Sequence, residues 1–150
     1  MDPTRNTHVK LLAADFNSLA VSSSAPPTIS RHGRPIFRAE SLGIVTSRNL
    51  RPKLLRFLID DGSGCVPCVL WLNHHLLPHS SDASEHAAKV QIGGLVRVRG
   101  RVTVFRGEVQ ITVKDVVVER DPNTEILHWL QCIKLARDFY DLPLAVPHRA

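Results

Sequence analysis

The sequence predicts an all-β core: a five-stranded Greek-key barrel with a helix between strands three and four, and further helices at the N- and C-terminal ends. Three observations carry this reading. Five segments rich in Ile, Val, Leu and Phe fall between Leu42 and Val118. They are grouped three and two around a stretch, 73–94, in which that grammar stops. Outside them, 8–20 and 122–142 space their apolar residues at helical intervals. The chain divides accordingly into an N-terminal helix and loop (1–35), a barrel (36–120), a C-terminal helix (121–142) and a tail (143–150).

In chain order, Val9, Leu12, Ala13, Phe16 and Leu19 predict a short amphipathic helix over 8–20. Ser22 to Pro35 holds three prolines, a serine run and Gly33, and reads as a loop tethering that helix. The first three strands are Leu42–Arg48, Leu54–Asp60 and Cys65–Leu72. Asp61-Gly62-Ser63-Gly64 makes the second and third a hairpin. Alanines at helical spacing within Glu85–Val90 give a short helix, capped by Ser81 or Asp82 and ended by Gly93-Gly94. Strands four and five, Leu95–Phe105 and Glu108–Val118, turn at Arg106-Gly107. Asp121-Pro122, a cap and a first-turn proline, then starts a long helix running to about Leu142. Three strands, a helix and two strands is the order of the OB-fold barrel.

Composition narrows the function classes. With 150 residues, 43% apolar and 22% charged, the chain suits one domain with a core that needs neither disulfides nor a structural metal. The longest uncharged apolar run, Cys65–Leu72, is eight residues, against roughly 20 for a membrane helix. Met1-Asp2-Pro3 lacks the basic and apolar segments of a secretory signal. Three cysteines, an odd number, read as reduced thiols of an intracellular protein. No membrane role and no cofactor are expected. The net charge of +5 is unevenly spread: eight of the 19 basic residues fall within Arg48–Arg56 and Arg97–Arg106. That clustering is the footprint of a nucleic-acid binder, the alternative being a solubilising surface.

Strand alternation sorts Leu95–Arg106 into two faces. Val96, Val98, Val102 and Val104 form the core side, while Arg97, Arg99, Arg101, Thr103 and Phe105 point outward. Guanidinium groups for phosphates and a flat ring for bases together make a single-strand binding face, unless a bulge at Gly100 shifts the phase. Trp71 alternates with Cys65, Pro67 and Val69, but neither face of that strand is polar, so either a core or a base-stacking tryptophan fits. Cys65 and Cys68, followed by His74, His75 and His79, have a superficially zinc-like spacing. Residues three apart on a strand point to opposite faces, which argues against a shared ion. Asp60 and Asp61 sit in a turn where Asp bonds its own backbone, and no nucleophile elbow, phosphate loop or HExxH pattern marks an enzyme.

On the last helix Ile126, Trp129, Leu130, Ile133, Ala136 and Tyr140 form one apolar stripe. Cys132, Leu135, Phe139 and Leu142 widen it past halfway, leaving Gln131, Lys134, Arg137, Asp138 and Asp141 polar. That exceeds what one barrel covers and calls for a second partner, most simply another protein's helix; full burial by the N-terminal segment is the alternative.

The strings LGIVTSR (42–48), FLIDDGSGCVPCVLWLN (57–73), IGGLVRVRGRV (92–102) and ERDPNTEILHWLQCIK (119–134), with THVKLLAADFNSL near the start, resemble the Stn-type subunit of the telomere-capping CST complex. The likeness covers nearly the whole chain and is to the short, plant-type members. It implies an OB-fold protein similar to the middle subunit of replication protein A. Such a protein pairs with the small OB-fold Ten subunit through the helix near 122–142, and docks on the large Ctc subunit. It works in the nucleus at telomeres, protecting chromosome ends and helping DNA polymerase α–primase fill in the complementary strand. By resemblance, Trp71, Phe105 and Arg106 fall at groove positions, tipping Trp71 toward an exposed, stacking role. The chain departs from the longer relatives, which continue into two winged-helix domains, and carries Thr103 where relatives can carry a basic residue. The expectation is therefore a non-catalytic subunit binding single-stranded G-rich telomeric DNA. Trp71 and Phe105 would stack on bases while Arg97, Arg99, Arg101 and Arg106 neutralise phosphates. The rival is an assembly adaptor that bridges two proteins with little DNA contact of its own.

Overall fold

The computed structural model describes residues 7–72 and 80–142. The barrel strands are β5 (Arg38–Leu50), β6 (Leu54–Asp60), β7 (Cys65–Trp71), β8 (Leu95–Phe105) and β9 (Glu108–Val118). Ahead of them come β1 (His8–Lys10), α1 (Ala13–Phe16), β2 (Ala20–Val21), β3 (Ile29–Arg31) and β4 (Arg34–Pro35). α2 (Ser80–Lys89) lies between β7 and β8 in the chain; α3 (Asn123–Leu135) and a π-helical turn (Ala136–Tyr140) follow β9.

The main sheet runs β1-β5-β6-β7-β9-β8 and closes on itself because β5 also pairs with β8. β9 lies between β7 and β8, parallel to the first and antiparallel to the second, which is the Greek-key crossing. Alternation fills the interior: Leu55, Phe57 and Ile59 from β6, Val96, Val98 and Val102 from β8, Val109 and Ile111 from β9. The order of strands is that of the expected OB-fold barrel.

β5 extends beyond the predicted Leu42–Arg48 at both ends because two neighbours share it. Its first half, Arg38–Ile44, pairs with β8 and its second, Ile44–Leu50, with β6. Where it crosses over, a Cβ on Gly43 would lie 2.8 Å from the Asp60 backbone, so only glycine fits. The irregularity anticipated near Gly100 is borne by its partner: Arg99 faces Asp115 and Gly100 faces Val113, leaving Lys114 as the extra residue in β9. β8 therefore keeps one phase throughout. On β9 the buried positions step from Val109, Ile111 and Val113 to Val116.

The N-terminal segment departs from expectation. His8–Lys10 is a strand parallel to Arg38–Glu40, and only Ala13–Phe16 is helical. The reason lies in the hairpin turn. The Asp61 carboxylate accepts the Ala13 N–H at 2.7 Å and the Ser63 hydroxyl accepts that of Ala14 at 3.0 Å, so the helix starts there. Val9, Leu11, Phe16 and Leu19 are buried nonetheless. The Ser22–Pro35 loop contains β3 and β4, which form a small antiparallel sheet with β2 just ahead of it. α2 spans Ser80–Lys89, and the side chains of Ser81 and Asp82, the expected caps, lie outside the described residues. Asp121 does cap α3, its Oδ1 accepting the Asn123 N–H at 2.9 Å. The 143–150 tail lies outside the described residues.

A Cβ on Gly100 would overlap the Thr112 carbonyl oxygen. Gly100→Ala is expected to cost about 3 kcal/mol, the upper end for overpacking. Chemical denaturation would check it; a midpoint equal to wild type would show that the β8–β9 spacing is not tight.

Candidate nucleic-acid interface

Barrel closure brings the open end of the β6–β7 hairpin beside the β8–β9 turn. Leu54 pairs with Trp71 and Arg56 with Val69 on one side; Phe105 and Arg106 end β8 on the other. Between them lies a groove of about 650 Å³ lined by Arg51, Lys53, Leu54, Arg56, Phe105 and Arg106. The Arg56 guanidinium lies 4.6 Å from the Phe105 ring centroid and that of Arg106 5.1 Å. These contacts hold the ring in place by cation–π attraction. Arg106 and Gly107 both take positive φ, 52° and 79°, as a two-residue primed turn requires, and this fixes the tip. Trp71 is 48% exposed and Phe105 41%, so the choice left open by the strand pattern resolves to a solvent-facing tryptophan.

The outward face of β8 exists, but its arginines do not form one site. Arg97 ion-pairs with Glu119 at 3.1 Å, and Arg99 is bound by the buried carboxylate of Glu40. Arg97 is also eight residues from Phe105, about 26 Å along a strand. Arg97 and Arg99 thus stand outside the groove, because acids on β5 and after β9 already neutralise them. Arg101 is exposed and directly opposite Arg38. Arg51, Lys53 and Arg56 take the missing places. Their signal was the basic stretch Arg48–Arg56, whose individual members no single-strand alternation could assign.

Comparison with known proteins supports the same frame. Residues 42–119 match the OB-fold nucleic acid binding domain family. An Arabidopsis thaliana protein, CST complex subunit STN1, is 44% identical over 91% of this chain and 93% of its own length. The chain belongs to the STN1 family. Its STN1 relative from Ailuropoda melanoleuca is 28% identical, and the chain spans 46% of that protein. The fold also matches two solved structures. An S. pombe Stn1–Ten1 complex superposes with a TM-score of 0.77 at 20% identity, covering 90% of this chain and 95% of that one. A replication protein A heterotrimer bound to single-stranded DNA gives 0.73 at 14%, covering 89% and 98%.

The second candidate surface is α3, and the structure redraws its apolar stripe. His128, Cys132, Ala136 and Tyr140 face inward and are buried. Ile126, Leu127, Leu130 and Ile133 are exposed, and Ile126, Leu130 and Ile133 border a shallow depression of about 380 Å³ with Glu125 and Trp129. Ala136 and Tyr140 therefore pack on this chain's own barrel, and Trp129 straddles both sides. Its Nε1 donates to the Asp61 carbonyl at 2.8 Å. Burial lowers the His128 pKa, and pushes the Cys132 thiol up to about 12, so both stay neutral near pH 7 at their 3.3 Å contact.

Burial likewise raises the Cys68 thiol, and Cys68 is buried while Cys65 is only partly so. Among the described residues no group of three or more His, Cys, Asp or Glu side chains gathers as a metal site. His74, His75 and His79 lie outside the described residues. Trp129→Phe keeps the packing and removes one hydrogen bond, so it is expected to cost about 1 kcal/mol. Thermal unfolding would read this, and an unchanged Tm would mean that the indole N–H does not anchor α3.

Proposed function

We propose that this chain is a non-catalytic subunit of a telomere-capping complex that holds single-stranded, G-rich telomeric DNA in the Trp71–Phe105 groove. The observation that carries the reading is the groove itself. Four cationic side chains, Arg51, Lys53, Arg56 and Arg106, share it with the exposed Phe105 ring, and a second exposed ring, Trp71, stands on β7 directly opposite the lining residue Leu54. Base stacking is worth roughly 1–3 kcal/mol per base, and the cations follow the backbone without reading sequence. The replication protein A neighbour, solved with single-stranded DNA, supports this use of the fold. Asp60 and Asp61 accept the backbone N–H groups of Gly62 and Ser63, each at 2.8 Å, which is a turn's work and not an acid–base pair's. In this reading the subunit acts in the nucleus, protects chromosome ends, docks on the large Ctc subunit and supports fill-in synthesis by DNA polymerase α–primase.

The test is a fluorescence-anisotropy titration of labelled G-rich single-stranded DNA at several salt concentrations. Four phosphate contacts predict a log–log salt slope near −3 at about 0.7 per contact. Trp71→Ala should weaken binding by about 1–3 kcal/mol. Binding that ignores salt, or full affinity in a Trp71→Ala/Phe105→Ala double variant, would sink the assignment.

The adaptor reading draws on a different observation, the exposed Ile126, Leu127, Leu130 and Ile133 face of α3. The S. pombe structure is a complex of Stn1 with Ten1, and pairing with a small OB-fold Ten subunit through this face is the corresponding proposal here. Leu130→Glu with Ile133→Glu should abolish co-elution with that subunit in gel filtration while leaving Tm unchanged. Survival of the pair would place the interface elsewhere.

A further inference from the structure

The outer surface of β5 and β8 carries a ladder of side chains whose charges alternate in an unexpected way. At one rung Glu40 faces Arg99, an opposite-charge pair in contact. At the next same-face rung Arg38 faces Arg101, a like-charge pair. The row continues onto β1 with His8, opposite Arg38, and onto β9 with Thr112, opposite Arg101. Neither arginine makes an ion pair with a described residue; Arg31, Arg97 and Arg99, by contrast, are all matched to acids. The His8 Nε2 is buried without a hydrogen-bond partner. Like charges directly opposite on a sheet are destabilising, so this rung costs stability unless an anion sits on it.

A concavity of about 810 Å³ opens over the rung, its far wall formed by Ile29, Gly33 and Pro35 of the small N-terminal sheet. Phe37, 47% exposed, stands beside the two arginines. An exposed ring next to unpaired guanidiniums repeats the chemistry of the main groove. The two places are also joined, because Arg101, Thr103 and Phe105 share the outward face of β8. Arg101 is four residues from Phe105, about 13 Å along the strand. Thr103 between them hydrogen-bonds Thr112 at 2.8 Å, leaving no charge of either sign on the way.

We infer that Arg38, Arg101 and Phe37 form a second phosphate- and base-binding subsite, which receives single-stranded nucleic acid as it leaves the Trp71–Phe105 groove. The inference rests on the groove reading and extends the footprint from one end of β8 toward its middle. The two arginines take phosphates, and Phe37 offers its ring to an unstacked base.

The full chain would be titrated with single-stranded oligonucleotides from about 4 to about 16 nucleotides, the span of site sizes for one OB-fold. Wild type is expected to tighten with length. Arg38→Gln/Arg101→Gln should bind the shortest oligonucleotides as wild type does, lose the gain from added length, and show a salt slope on the longest that is shallower by about 1.4. Its Tm should equal or exceed that of wild type, since a repulsion has been removed. A lower Tm would make the arginines structural and overturn the subsite. Wild-type behaviour of this variant at every length, with binding lost in Trp71→Ala/Phe105→Ala, would overturn the subsite and leave the groove standing. The reverse pattern would overturn the groove and leave the rung as the binding site. A polyglutamate peptide captured through Arg38 and Arg101, with no oligonucleotide bound, would reassign the rung to an acidic protein and overturn the nucleic-acid inference.

Discussion

One strand serving two partners is the constraint from which the rest follows. β5 gives its first half to β8 and its second half to β6, and Ile44 pairs in both directions. The handover needs backbone approach too close for a side chain, which Gly43 permits against Asp60; Gly100 permits the same against Thr112 where β8 meets β9. Closure then removes the open edges and stacks residues from far apart in sequence. Leu54 and Arg56 on β6 and Phe105 on β8 become walls of one groove, with Trp71 on β7 directly opposite Leu54. The site is therefore a product of barrel topology, and its aromatic rings stand on rigid strand ends.

Asp61 ties the flanking segments to that barrel. It is buried, and a buried carboxylate is tolerable only when its oxygens are satisfied. One oxygen accepts the Ala13 N–H and the other accepts both the Ser63 N–H and hydroxyl, while its main-chain carbonyl holds the Trp129 indole. The N-terminal helix, the hairpin turn and α3 thus converge on a single residue. That anchoring sets the rotation of α3. His128 and Cys132 turn inward, and Ile126, Leu130 and Ile133 are left facing outward for a partner.

The barrel was legible because its strands alternate cleanly and its turns carry Asp-Gly and Arg-Gly signals; β6, β8 and β9 begin and end where the pattern says. The N-terminal segment misled because Val9, Leu12, Ala13 and Phe16 satisfy a helical period while the hydrogen bonds of His8–Lys10 are taken by β5. Nothing local announces a parallel neighbour 30 residues away. The α3 stripe misled differently. A helix apolar on more than half its circumference has an inward and an outward face, and periodicity cannot say which is which. Trp71 was ambiguous for the same reason, with apolar residues on both sides of β7, until closure placed it at the rim.

The arginines show why charge has to be read as paired or unpaired before it is read as function. Of the eight basic residues in the two clusters, three are committed to the fold: Arg48 donates to the Val90 carbonyl, Arg97 meets Glu119 and Arg99 meets Glu40. Arg51, Lys53, Arg56 and Arg106 surround the aromatic groove, and Arg101 sits on a rung whose other member is also arginine. A solubilising surface has no reason to sort its cations this way. Interspersing acids would lower the self-repulsion and keep the protein soluble. Acids are supplied where Arg97 and Arg99 support the barrel, and among the described residues none forms an ion pair with the four cations that line the groove. Withholding them costs stability in the free protein, and an incoming polyanion returns that cost on binding.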